Sequence, residues 1–125
     1  MPGNVILHTE PVFVELVFAG SVLRHDMEMA AIRALEACER AATSRLLCDC
    51  TELAGGHSVG ELYFVAERLS AMPMAVAVRE AVVLPALPVA RPDAHFWETT
   101  ANNRGMQVQV FPDRQSALDW LMPEA

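Results

Sequence analysis

Gly55-Gly56-His57-Ser58 is the stretch whose residue types and order come closest to chemistry. A Gly-Gly turn leaves backbone amides uncovered, and a helix N-terminus just beyond it favours negative charge, so together they suit a small anion. His57 has the right intrinsic pKa for a general base near neutral pH, but it needs a nucleophile or a substrate position beside it. No such setting is recognisable around it. A structural role also fits the same four residues: the glycines turn the chain and Ser58 caps the helix. Gly55, Gly56, His57 and Ser58 are therefore the candidate ligand-binding residues. No residue is assigned as catalytic.

The remaining reactive side chains do not assemble into a motif. Cys48 and Cys50, on either side of Asp49, aim at the same side of a strand and make half of a zinc site with no matching half elsewhere. Together with Cys38 they read as buried thiols that pack like small hydrophobes. Asp49 would be reactive as a buried carboxylate, or inert as an acceptor for nearby backbone amides. His8, His25 and His95 have no metal-ligand spacing. There is no Gly-x-Ser-x-Gly elbow, no HExxH, no Walker loop and no dinucleotide fingerprint. Neither metal nor cofactor is expected, and the chain is expected not to be an enzyme. The methionines suggest something else. Met72 and Met74 flank Pro73, and Met27 and Met29 open a helix; flexible thioethers suit an adaptable apolar surface that meets a partner or a lipid-like ligand, as well as ordinary core filling.

Composition narrows the classes further. The 125 residues are 53% hydrophobic with a net charge of −7, which suits one compact domain over residues 1–125 with a full core and no need of disulfides. All nine basic residues are arginines spread along the chain, the opposite of the clustered footprint that displaces counterions from nucleic acid. Apolar runs break too soon to span a bilayer, and the N-terminus lacks a secretory signal, so a cytoplasmic location is expected.

The elements that must position these residues follow from periodicity. "VILHTEPVFVELVFAG" predicts a hairpin over residues 5–9 and 12–18 around Glu10-Pro11, closed by Gly20. "RHDMEMAAIRALEACERAA" places Met27, Ala31, Ala34, Leu35, Cys38 and Ala42 on one helical stripe, with Glu28, Arg33, Glu36 and Arg40 mostly opposite. "RLLCDC" reads as a central strand covered on both faces, "TELAGGHSVG" as the loop after it, and residues 61–71 as a helix stopped before Pro73. A strand over residues 79–84, a proline-spaced loop and a helix capped by Asp93 come next. Asn103 and Gly105 end that helix. In "MQVQVF" the apolar Met106, Val108 and Val110 alternate with Gln107 and Gln109, which predicts a half-covered strand at a sheet edge. Asp113 caps a last helix pinned by Ala117, Leu118 and Leu121, with Trp120 alongside. The result is an α/β domain: one mixed sheet, an N-terminal antiparallel hairpin and then β-α units, with about four helices.

This layout resembles the small bacterial STAS-like proteins related to anti-sigma-factor antagonists, also described as SpoIIAA-like or STAS/SEC14-domain proteins. "HFWETTANNRGMQVQVFPDRQSALDWL" is similar to the family's aromatic-Glu-Thr helix, Asn-Arg-Gly cap, V-x-V-F strand and A-L-x-W-L ending; "LLCDCTEL" fits more loosely. The resemblance implies a SpoIIAA-like fold and a regulatory, protein-binding role. Phospho-switch antagonists carry Asp-Ser-Ser-Gly where this chain has His57-Ser58-Val59-Gly60, so the acceptor position falls on Val59, which has no hydroxyl. The expected function is thus a non-enzymatic module that binds a protein partner or itself as a homodimer, through the last strand and exposed helix faces. The alternative is a domain that binds a small apolar, lipid-like or anionic ligand near the carboxyl ends of the strands. An apolar cavity between sheet and helices would favour the ligand; a solid core with a flat apolar patch would favour the protein partner.

Overall fold

The computed structural model of the chain describes residues 3–55 and 57–122. Strands β1 (Gly3–Thr9) and β2 (Val12–Ser21) form the expected hairpin, joined at Glu10-Pro11. Then follow α1 (Arg24–Ala41), β3 (Arg45–Gly55), α2 (Val59–Leu69), α3 (Pro73–Ala77) and β4 (Arg79–Val83). A 3-10 turn (Pro88–Ala90), α4 (Arg91–Asn102), β5 (Gln107–Phe111) and α5 (Arg114–Leu121) complete the order. The five strands lie in sequence order, β1-β2-β3-β4-β5, with only the first pair antiparallel. A mixed α/β sheet is what the patterning predicts.

Alternation along the strands splits the apolar residues between two cores. Val14, Leu16, Leu46, Cys48, Val82 and Val108 face the larger one, which α1, α2, α3 and α4 cover. Phe13, Leu47, Ala81, Val83 and Phe111 face the other, which α5 seals with Ala117 and Leu121. Because side chains on a strand alternate between faces, β3 needs an almost unbroken apolar run to serve both.

Several boundaries differ from the periodicity. β3 continues through "TELAG" to Gly55, beyond the loop start expected at Thr51, because β2 extends beside it as far as Ser21. α2 begins at Val59 rather than Glu61. Pro73 does not merely follow a helix end; it opens the short α3, where its missing N–H costs nothing. With α3 there are five α-helices among the described residues. Asp93 is not the cap of α4: the N-cap is Ala90 and Asp93 lies in the first turn. Glu28, expected on the solvent side of α1, is buried and held by Arg24 (3.4 Å) and by Arg68 of α2. Two arginines satisfy it, so the charge ties α1 to α2 instead of facing water. Ala42, expected on the buried stripe, is the exposed left-handed C-cap of α1.

β5 is an edge strand, with Gln107 and Gln109 exposed and Met106 and Val108 buried. Its outer hydrogen-bonding groups are already engaged by α4. Asn102 donates to the Val108 carbonyl at 2.7 Å and accepts from the Val108 amide at 3.1 Å, and Glu98 accepts from the Val110 amide at 3.0 Å. An edge closed by its neighbour's side chains is a poor template for adding another strand.

Candidate functional site

The polar groups that sequence spacing leaves scattered meet on the larger core's side of the sheet. A cavity of about 80 Å³ lies between the sheet and α1–α4, with apolar walls that include Phe18, Leu35, Leu62 and Val65. By the space one water requires, that is room for roughly five to eight small groups. Cys48 and Cys50 on β3, Glu80 on β4, Asp93 and Trp97 on α4, and His57 also line it.

His57 reaches the cavity because β3 ends at Gly55, whose φ of +90° turns the chain under α4. A Cβ at Gly55 would stand 3.3 Å from the Ala90 Cβ, so glycine also permits this close approach. The His57 side chain is only 2% exposed, and neither ring nitrogen has a hydrogen-bond partner among the described residues. Its Nδ1 is 3.9 Å from Asp93 Oδ2, beyond hydrogen-bonding reach. Buried polar atoms almost always find a partner, which sets this imidazole apart from the other polar groups of the cavity.

Glu80 pairs in register with Leu46 near the amino end of β3, whereas His57 follows the carboxyl end of that strand. Polar groups therefore sit toward opposite ends of an apolar space. Burial pushes the Glu80 carboxyl up to about 7, offset in part by a hydrogen bond from Trp97. Burial also raises the Cys38 thiol to about 11. Cys48 is held well above its ordinary value by its contact with Cys50, 3.7 Å between sulfurs, and by burial. Such thiols stay protonated at neutral pH and are poor nucleophiles. Among the described residues no group of three or more His, Cys, Asp or Glu is placed to hold a metal ion.

The other candidate positions have local roles. Ser58 caps α2 in a reciprocal box: it accepts from the Glu61 amide at 3.1 Å, and Glu61 accepts from the Ser58 amide at 3.0 Å. These amides are thus occupied within the chain, with a carboxylate already beside the helix end. Replacing Ser58 by Ala is expected to cost about 1 kcal/mol of stability in urea unfolding. Gly56 lies outside the described residues. Asp49 accepts from the Thr51 amide at 2.9 Å, the local strand-end role.

A second depression, of about 410 Å³, lies at the carboxyl ends of β4 and β5 and includes Arg91 and Arg114. Both guanidinium groups are committed elsewhere. Arg91 donates to the carbonyls of Pro85 (2.9 Å) and Ala86 (3.1 Å). Arg114 grips the buried Glu15 with two bonds of 2.6 and 3.0 Å, while His8 holds the same carboxylate at 2.8 Å. Arg114 first, and His8 after it, depress the Glu15 pKa below its ordinary 4.5. A depressed carboxylate stabilises the fold above its ordinary pKa and loses that contribution as pH falls through the folded value. Arg114→Ala is expected to cost about 2 kcal/mol at pH 7, because Glu15 would be left buried with a weaker partner. The 44% exposure of the Arg114 side chain keeps the loss below that of a fully buried pair. In paired denaturation curves the difference should shrink as pH drops below 4.5, the ordinary value for this carboxyl.

The sheet order, the hairpin entry and the helices together define a SpoIIAA-like fold. Among solved structures the chain is similar to an uncharacterised protein of the DUF3478 family from Shewanella loihica PV-4 with a SpoIIAA-like fold. The two share 20% identity with a TM-score of 0.59, over 95% of this chain and 91% of that one. No protein-family model and no curated protein matches the sequence. Among the described residues, no helix is long and apolar enough to cross a membrane.

Proposed function

We propose that this chain is a non-catalytic binding domain that takes a small, mainly apolar molecule into the cavity between its sheet and α1–α4. One observation carries the reading: an apolar space between sheet and helices has a buried imidazole on its wall, both nitrogens unpartnered among the described residues. Helix and sheet layers of this size normally close without such voids. Leaving polar atoms unmet beside one is costly unless a ligand or ordered water meets them.

The reading differs from a protein-partner module. A homodimer built by sheet extension through β5 is disfavoured, since Asn102 and Glu98 occupy that edge. The thiols and the carboxyl in the cavity serve recognition in this reading, because no activated nucleophile accompanies His57.

NMR titration with a neutral apolar compound such as hexanol tests it. The Trp97 indole resonance, at the cavity, should shift, while that of Trp120, on the other face of the sheet, stays in place. If neither moves at saturating hexanol, and native mass spectrometry of freshly purified protein shows no co-purified small molecule, the reading is wrong.

A further inference from the structure

Resting on that reading, we infer that the molecule the cavity takes is an apolar amine, bound as its ammonium ion with Glu80 as counter-ion. The lining holds two carboxyl side chains, Glu80 and Asp93, and no arginine; the chain has no lysine at all. Glu80 is partly buried, and a carboxylate set against an apolar wall favours a proton or a cation, because those surroundings replace little of the hydration it loses. The one base in the lining, His57, stands beside Asp93 past the other end of β3 (Nδ1 to Oδ2 3.9 Å), so next to Glu80 a ligand ammonium is the group that completes the site. The same arrangement disfavours an alkyl carboxylate, which would bring a second negative charge beside Glu80 and Asp93 with no cation between them.

The groups around Glu80 agree with this assignment. Cys38 from α1 and Cys48 from β3 lie close enough for the Glu80 charge to raise their own pKa values, and neither can neutralise it. Trp97 from α4 offers an indole N–H. α2 and α3 add only apolar side chains to the lining, and His57 and Asp93 lie past the other end of β3. His57, buried and without partners, is the independent sign that the space has an occupant. A cavity of about 80 Å³ limits that occupant to a small molecule, of the size of a short alkylamine.

Isothermal titration with hexylamine, hexanol and hexanoate, matched in chain length, provides the test. At pH 8 hexylamine should bind at least roughly tenfold tighter than hexanol, with hexanoate weakest, since only the amine gains the buried ion pair. Glu80→Gln should abolish the preference for the amine, and an unaltered far-ultraviolet circular dichroism spectrum shows that the variant is folded. Because the ammonium needs the ionised carboxyl, hexylamine should bind about a hundredfold more weakly at pH 5 than at pH 8. Hexanol or hexanoate binding as tightly as hexylamine would overturn the inference and leave the cavity reading standing. So would a preference for the amine that survives in Glu80→Gln. Failure of all three compounds to bind removes both.

Discussion

Glu80→Gln is expected to stabilise the ligand-free protein at pH 8 by about 2 kcal/mol, less than full burial would give because Glu80 keeps some contact with solvent, and to change little at pH 4.5. The sign follows from the proton. In the unfolded chain the carboxyl loses its proton near the ordinary 4.5; in the fold, burial holds the proton until about 7. Below 4.5 both states carry it and stability is unaffected. Between the two values only the folded state keeps the proton, so stability falls as pH rises, by about 1.4 kcal/mol per pH unit. Above about 7 the folded state must ionise as well, and the loss is complete. Glutamine keeps the shape without the charge and removes the slope. Urea unfolding of both proteins from pH 4.5 to pH 8 measures the difference directly. Equal stability throughout that range would mean that Glu80 is not confined in an apolar interior, and the cavity assignment would fall with it.

Leu121→Ala is expected to lower stability by about 3 kcal/mol, within the roughly 2–5 kcal/mol found for fully buried leucines. Leu121 is completely buried, and α5 is the helix that closes the second face of the sheet. Eight residues are too few to hold a helix by themselves, so α5 depends on this contact. Ala117 adds less apolar contact, and the polar fastenings are weaker: the Asp113 cap on the Ser116 amide at 2.8 Å, and Arg79, which lies 4.1 Å over the Trp120 ring and donates to the Trp120 carbonyl. Losing Leu121 would loosen the cover over Leu47, Ala81 and Val83. Guanidinium denaturation of the variant provides the measurement, and a loss below about 1 kcal/mol would show that α5 contributes little to sealing this face.

The two variants separate the two sides of the sheet. The face under α5 buries Leu47 and Leu121 fully and serves stability. The face under α1–α4 keeps a space lined by acids, thiols and an imidazole. A protein that uses one layer as scaffold can leave the other imperfectly filled for a ligand, at a cost in stability that the E80Q comparison makes visible.

Periodicity determines a large part of this molecule. The alternation in "MQVQVF" is enough to place β5 at an edge, the unbroken run "RLLCDC" is enough to place β3 between two covered faces, and Asp113 and Ser58 are legible as caps. Each of these depends on neighbours within a few residues, and backbone geometry carries that information along the chain. The site is different. Glu80 sits in a stretch whose strand and helix boundaries periodicity leaves open, Trp97 reads as one more helix residue, and His57 looks like part of a loop. Their meeting depends on parallel strand order and on α4 crossing above the end of β3, which no local pattern encodes. The same holds for Glu15 with Arg114 and for Glu28 with Arg68. Charges that a periodic pattern assigns to solvent become interior once a distant arginine arrives, and only the tertiary structure decides which arginine that is.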